Sequence, residues 1–221
     1  MPEDEHRSFY PEVRSSGSLR AALQNALNAA GSELRVSAPP EFFSTTYARV
    51  ESGPRFSQVY LAAKERLFLP DFWSDGVELG TGATPDLELL ALAVNGWVSG
   101  SLRSTREMIS HFDWFTPNSS AEAFEAGTEV EWAWARLLEN PHASAATRAL
   151  IQMASQEQVL RRLFPYTSGE CLCFSRCTGF PYTRDIPCLS PHGEIESSIA
   201  SLLRDLPFDC SPARRGTASS L

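Results

Sequence analysis

The chain has 221 residues, 43% of them hydrophobic and 10% aromatic, and a formal net charge of −8. A chain of this length buries roughly 70 to 75% of the surface it would expose unfolded, so its core needs no staples. Its stock of Phe, Trp and Leu excludes a mostly disordered protein, and the acidic balance argues against general nucleic-acid binding, which relies on clustered Lys and Arg.

The charge is concentrated. Between Leu69 and Glu131 eleven acids face two arginines, a net −9, and the remainder is close to neutral. Such a stretch reads either as solvated helix faces or as the wall of one site. The first residues, Met1 to Arg7, are acidic and polar, whereas an export signal needs a basic start and an apolar run. The longest apolar stretch, Leu89 to Val98, is about half of the ~20 residues that span a bilayer. The expectation is a cytoplasmic protein with no membrane contact. Residues 1–15 read as a flexible arm and 211–221 as a polar tail, flanking a single α+β domain over 16–210.

In chain order, Ser18 is placed to cap a helix whose stripe is Leu19, Leu23 and Leu27, closed near Gly31. Four β-rich runs follow, Glu33 to Ala38, Phe42 to Glu51, Phe56 to Ala63 and Arg66 to Phe72, and Val77 to Leu79 can add a short fifth. Turn residues separate them, which predicts an antiparallel meander. Thr84-Pro85-Asp86 starts a helix, with the Thr84 hydroxyl as its cap and Pro85 at the first helical position, that runs to about Val98. A helical block is inserted over about 101–163, with pieces near 102–110, 119–139, 144–154 and 155–163. Gly127, with a capping box between Thr128 and Glu131, predicts a break in the second piece. Strands return at Glu170 to Arg176 and Asp185 to Leu189 as a C-terminal hairpin, and Ser198 to Leu206 closes the fold as an amphipathic helix. The meander and the hairpin bury their apolar faces by packing with helices. This order is similar to that of small sheet-and-helix modules such as the type III secretion chaperones, an analogy that assigns no function.

Five cysteines, an odd number without an export signal, read as reduced thiols rather than a disulfide framework. The cluster Cys171, Cys173, Cys177 and Cys188 lacks the paired knuckles of a zinc site, so no metal is expected. No phosphate-binding, dinucleotide, zinc-protease or nucleophile-elbow motif occurs, and an enzyme built on this chain would work without a cofactor.

Several residues are candidates for chemistry. His111 and Asp113 lie two apart beside Phe112, Trp114 and Phe115, where a loop can turn the carboxylate onto the imidazole to make a general base; the alternative is a loop histidine packed on aromatics. Asp71 and Asp75 flank Phe72 and Trp73, a set suited to a cationic or ring-bearing ligand, although Asp75-Gly76 also reads as a plain turn. Trp132 and Trp134 cannot share one helix face, so one of them is free to line a pocket with Trp114 or to meet a second subunit in a homodimer. Pro165 to Ser168 reads as a turn from a helix into a strand that ends at Ser175 and Arg176. Tyr166 and Arg176 can approach there, the guanidinium offering a fork for a carboxylate or enolate oxygen. A salt bridge to one of the acids is the other role open to Arg176.

The segments Arg66 to Trp73, L-F-P-Y-T-S at Leu163 to Ser168, Phe174-Ser175-Arg176 and Thr178 to Tyr182, with Val13-Arg14 and the first helix, form a pattern over nearly the whole chain. It resembles an uncharacterised bacterial family described as natural-product biosynthesis proteins. The resemblance implies a place in secondary metabolism and carries over no catalytic residues; Cys171, Cys173 and Cys188 stand outside its pattern. Two functions are consistent with these residues. One is a cofactor-independent tailoring enzyme, a cyclase, isomerase or dehydratase acting on a hydrophobic small-molecule intermediate. Its catalytic groups would be Arg176, Tyr166, His111 and Asp113, and its substrate-binding groups Asp71, Trp73, Trp114 and Trp132. The other is a non-catalytic binding or chaperone-like accessory protein.

Overall fold

The computed structural model describes residues 9–37, 45–206 and 213–218, and the protein is of the α+β class. Contacts divide it into two compact units, Met1–Ser74 with Glu78–Ala121, and Asp75–Val77 with Glu122–Leu221.

In the first unit, α1 (Pro11–Ser16) follows a fully buried Tyr10, whose hydroxyl accepts the Leu67 N–H at 3.1 Å. The expected arm is therefore structured from residue 9 onward. Helix α2 (Leu19–Ala29) starts where its sequence says: the Ser18 side chain accepts the Ala21 N–H, and Leu19, Leu23 and Leu27 are fully buried. Truncating any one of the three to Ala would cost about 2 to 5 kcal/mol.

A six-stranded sheet runs in the order β1 (Val36–Ser37), β2 (Tyr47–Ser52), β3 (Arg55–Leu61), β4 (Phe68–Ser74), β5 (Val77–Gly82) and β6 (Phe115–Pro117). The registers Val50↔Ser57↔Phe72 and Ala48↔Val59↔Pro70 set one face of β2, β3 and β4. Those residues are buried, and α2 and α3 (Leu87–Val98) pack against these strands. Trp97 of α3 is fully buried, lies edge-on to Phe72 at 6.2 Å and donates its indole N–H to the Trp73 carbonyl.

The second unit holds α6 (Glu129–Leu138), α7 (Ala145–Ala154), α8 (Gln158–Arg161), a hairpin of β7 (Phe164–Ser168) and β8 (Cys171–Ser175), and α9 (Ile195–Asp205). Its core gathers Trp134, Leu150, Ile151, Leu172, Phe174 and Leu202. Helices α4 (Thr105–His111) and α5 (Ala121–Ala126) complete the described elements.

Several expectations are corrected in detail. Asp86, not Thr84, caps α3 by accepting the Glu88 and Leu89 N–H groups, because the Thr84 backbone is committed to pairing with Phe68. Gly127 does break the helix, with φ 75°, but Thr128 makes no side-chain cap at α6. The largest change is at the hairpin. Phe164 to Ser168 is a strand and not a turn, and it, rather than Asp185 to Leu189, partners Cys171 to Ser175. Its proline suggests a turn, yet a strand with one free edge tolerates a residue without an N–H, and Gly169 at φ 61° makes the tight connection instead. Of the expected strand Asp185 to Leu189, only a bridge between Leu172 and Leu189 forms.

Candidate functional site

The hairpin alternates. Leu172 and Phe174 enter the core of the second unit, so the cross-strand pairs Tyr166↔Cys173, Ser168↔Cys171 and Phe164↔Ser175 lie on the other face. The loop after β8 folds back over that face. Its anchor is the buried hydroxyl of Ser175, which accepts the Cys177 N–H at 3.0 Å and the Thr183 N–H at 3.1 Å. A disulfide between Cys173 and Cys188 adds a second tie. This corrects the expectation of reduced thiols: the pair lies 15 positions apart in sequence, and only the fold of the loop brings them together. Cys171 and Cys177 are unpaired, and Cys210 lies outside the described residues.

Between hairpin and loop is a cleft of about 430 Å³, lined by Tyr166 and Ser168 from β7 and by Phe180, Tyr182, Arg184 and the two half-cystines, with Pro181, Ile186 and Pro187 filling the rest. That volume falls in the range of small-molecule sites. The Tyr166 and Tyr182 rings stack with centroids 4.5 Å apart, and Phe180, 64% exposed, stands edge-on to Tyr182 at 5.9 Å. Burial, and secondarily the neighbouring Cys177 and Tyr166, push the Tyr182 phenol above its ordinary value, so at neutral pH it is an O–H donor. Arg184 is exposed and has no ion-pair partner among the described residues. Among the described residues the cleft thus offers flat apolar walls, hydroxyl donors and one guanidinium, with no carboxylate or imidazole in its lining.

A strap of residues 213–218 runs along the outside of the same loop. Arg214 donates its N–H to the Arg176 carbonyl at 2.7 Å, Thr178 returns one to Arg214 at 3.0 Å, Gly179 donates to Gly216 at 2.6 Å and Ala218 to Pro181 at 2.8 Å. Position 179 must be glycine for this approach, since a Cβ there would sit 2.8 Å from the Gly216 carbonyl oxygen. Arg215 of the strap reaches the Phe124 carbonyl and lies 3.7 Å from Glu129, a carboxylate only 5% exposed. The described part of the stretch expected as a polar tail, residues 213–218, therefore holds the loop that carries Phe180, Pro181 and Tyr182.

Of the residues singled out from sequence, Tyr166 lies in the cleft and Arg176 is not among its lining residues. The Arg176 guanidinium is on Asp185, Nε to Oδ2 at 2.6 Å. Burial works against the Asp185 charge, but hydrogen bonds from Arg176 and Thr183 outweigh it and hold the carboxyl below its usual range. Trp132 is half-buried beside Arg136, 5.9 Å from its ring centre, while Trp134 is core. His111, Asp113, Asp71, Trp73 and Trp114 belong to the first unit. The exposed His111 ring lies against its own helix, Nδ1 2.9 Å from the Glu107 carbonyl oxygen, and no hydrogen bond or ion pair joins it to Asp113. Trp114 packs on Phe112 and Phe72. Asp71 shares a sheet face with Tyr47, Arg49, Phe56, Gln58 and Trp73. Burial raises its carboxyl above the ordinary value against the opposing pull of the Gln58 N–H at 2.8 Å. Among the described residues no three His, Cys, Asp or Glu side chains cluster to hold a metal ion, and no helix is long and apolar enough to cross a membrane.

Residues 128–196 match the model of a family of unknown function (DUF6193). The matched stretch contains all the described residues that line the cleft and stops short of the strap. No curated protein and no solved structure matches the chain. Sequence reasoning missed Phe180, Tyr182 and Arg184 as site residues. The available signal was the aromatic pair around Pro181, which follows directly on the Ser175-Arg176 strand end.

Proposed function

We propose that the protein binds a small flat molecule bearing one anionic group, and that it handles such an intermediate in a biosynthetic pathway. The observation that carries this reading is the stacked Tyr166 and Tyr182 pair in the same cleft as Arg184, which has no ion-pair partner among the described residues. Rings supply apolar contact to a planar ligand, and a guanidinium recognises a carboxylate through parallel N–H donors. The resemblance to natural-product biosynthesis proteins supports the pathway.

The lining stabilises negative charge and shields an apolar body, but among the described residues it contains no carboxylate or imidazole to take up a proton. That favours holding the intermediate over a cyclisation, isomerisation or dehydration that begins with proton abstraction. Calorimetric titration with 2-naphthoate tests the reading. We expect saturable one-to-one binding, weaker binding of the uncharged methyl ester, and a loss of about ten-fold, near 1.4 kcal/mol, in Arg184→Ala. Equal affinity for acid and ester, or no binding of either, would overturn it.

A further inference from the structure

We propose that the Cys173–Cys188 disulfide is a reactive part of the cleft, opened by an anionic aromatic thiol that attacks the Cys188 sulfur. The inference rests on the cleft being a ligand site and adds a chemical class to its ligand.

Three observations support it. First, both half-cystines are among the residues that line the cleft, so a bound molecule lies beside the bridged pair. Second, the two ends differ: Cys188 is exposed, whereas Cys173 is fully buried on β8. Exchange requires the attacking thiolate to reach one sulfur and the other to leave, and this asymmetry fixes which is which. Third, the disulfide is not needed to hold the segment it joins. Next to it, Leu172 and Leu189 exchange two backbone hydrogen bonds, of 2.9 and 2.7 Å, and Ile186 and Leu189 are buried in the core on either side of Cys188. Thr183 is separately tied to Ser175. The bridge can therefore open while the cleft keeps its shape, unlike one that clamps an otherwise free loop.

The step balances without an external oxidant. The thiol of the ligand loses its proton and its thiolate forms a bond to Cys188 Sγ. The sulfur–sulfur bond breaks, and Cys173 Sγ leaves as a thiolate that takes up a proton. The products are a mixed disulfide on Cys188 and a thiol on Cys173, and attack by Cys173 reverses the step and releases the ligand. Arg184, in the same lining, draws in the anionic group of the ligand. The protein so equipped holds a thiol-bearing intermediate covalently and gives it up without hydrolysis.

The test uses the full chain isolated without reductant and 4-mercaptobenzoate as probe, with its methyl ester as the uncharged control. Acid quenching and peptide mass analysis should place one probe on the Cys188 peptide and leave a free thiol at Cys173. The rate should saturate with probe concentration, exceed that of the ester by about ten-fold, and lose that preference in Arg184→Ala. A probe on Cys173, absence of the 173–188 bridge in the isolated protein, or equal non-saturating rates for acid and ester would each overturn the inference. Binding of 2-naphthoate without any exchange would also overturn it while leaving the cleft reading intact; failure of 2-naphthoate to bind removes that reading first.

Discussion

The two units each turn a polar, aromatic sheet face away from a core, and they treat it differently. In the first unit the face satisfies itself. Tyr47 donates its hydroxyl hydrogen to Gln58 Oε1 at 2.8 Å, Gln58 donates from backbone and side chain to Asp71, and Arg49 sits 3.8 Å from the centre of the Phe56 ring, which stacks on Trp73. In the second unit the hairpin face is short, and a loop arches over it leaving a gap. There Tyr166, Tyr182 and Arg184 line the gap, and no hydrogen bond or ion pair joins them to one another. Similar residue types therefore make a structural face on regular strands and a binding face under a loop, because a ladder dictates neighbours and a loop need not.

The largest expected effect comes from removing what holds the loop. Deleting residues 213–221 withdraws the acceptors of the Thr178 and Gly179 amides and the guanidinium beside Glu129, leaving a carboxylate that is costly to keep buried without its cation. We expect naphthoate affinity to fall by ten-fold or more, a change of about 1.4 kcal/mol upward. Hydrogen exchange at Thr178 and Gly179 should accelerate while the amides of β8 stay protected. Unchanged affinity would mean that the hairpin and the Ser175 anchor shape the cleft unaided.

Arg176→Ala should do much less. Its partner Asp185 has a side chain 49% exposed, and ion pairs of this kind contribute about 0 to 1 kcal/mol. The thermal midpoint should move slightly and naphthoate affinity should stay at the wild-type value. A ten-fold loss of affinity would instead bring Arg176 into the site, and the cleft would have to be redrawn to include it.

How far the sequence foretold this division depends on which interactions are local. Ser18 with its Leu19, Leu23 and Leu27 stripe, and Gly127 between two helices, carry their signals within a few residues, and they appear where they were expected. The β2 to β4 meander was legible from turns and β-rich runs. The strand at Phe164 to Ser168 was not, because Pro165 and a hydroxyl-rich segment favour a turn until a partner strand and the Gly169 corner are supplied. The cleft was legible only at Tyr166. Tyr182, Arg184 and the Cys173 to Cys188 bridge depend on a loop returning over the hairpin, and the strap at 213–218 pairs with residues more than thirty positions away. No local spacing encodes either.

The smallest effect is on pH dependence, and it probes the self-satisfied face. Burial leaves Asp71 with a carboxyl raised in the folded chain relative to the ordinary value of 3.8, so the native state holds that proton more tightly than the unfolded state. The stability this confers is fully present below the ordinary value and is lost as the pH rises through the raised one. Asp71→Asn removes the loss, since its carbonyl oxygen still accepts the Gln58 N–H and a rotated Gln58 amide can pair with its NH2. The variant should therefore have a slightly higher urea midpoint than the wild type at pH 7, with the difference closing as the pH falls below 3.8. A wild type that is the more stable at pH 7 would show that the Asp71 charge gains more from its surroundings than Gln58 provides. The face in the first unit would then carry an unspent anion, and the contrast with the cleft would give way to two sites of opposite charge preference.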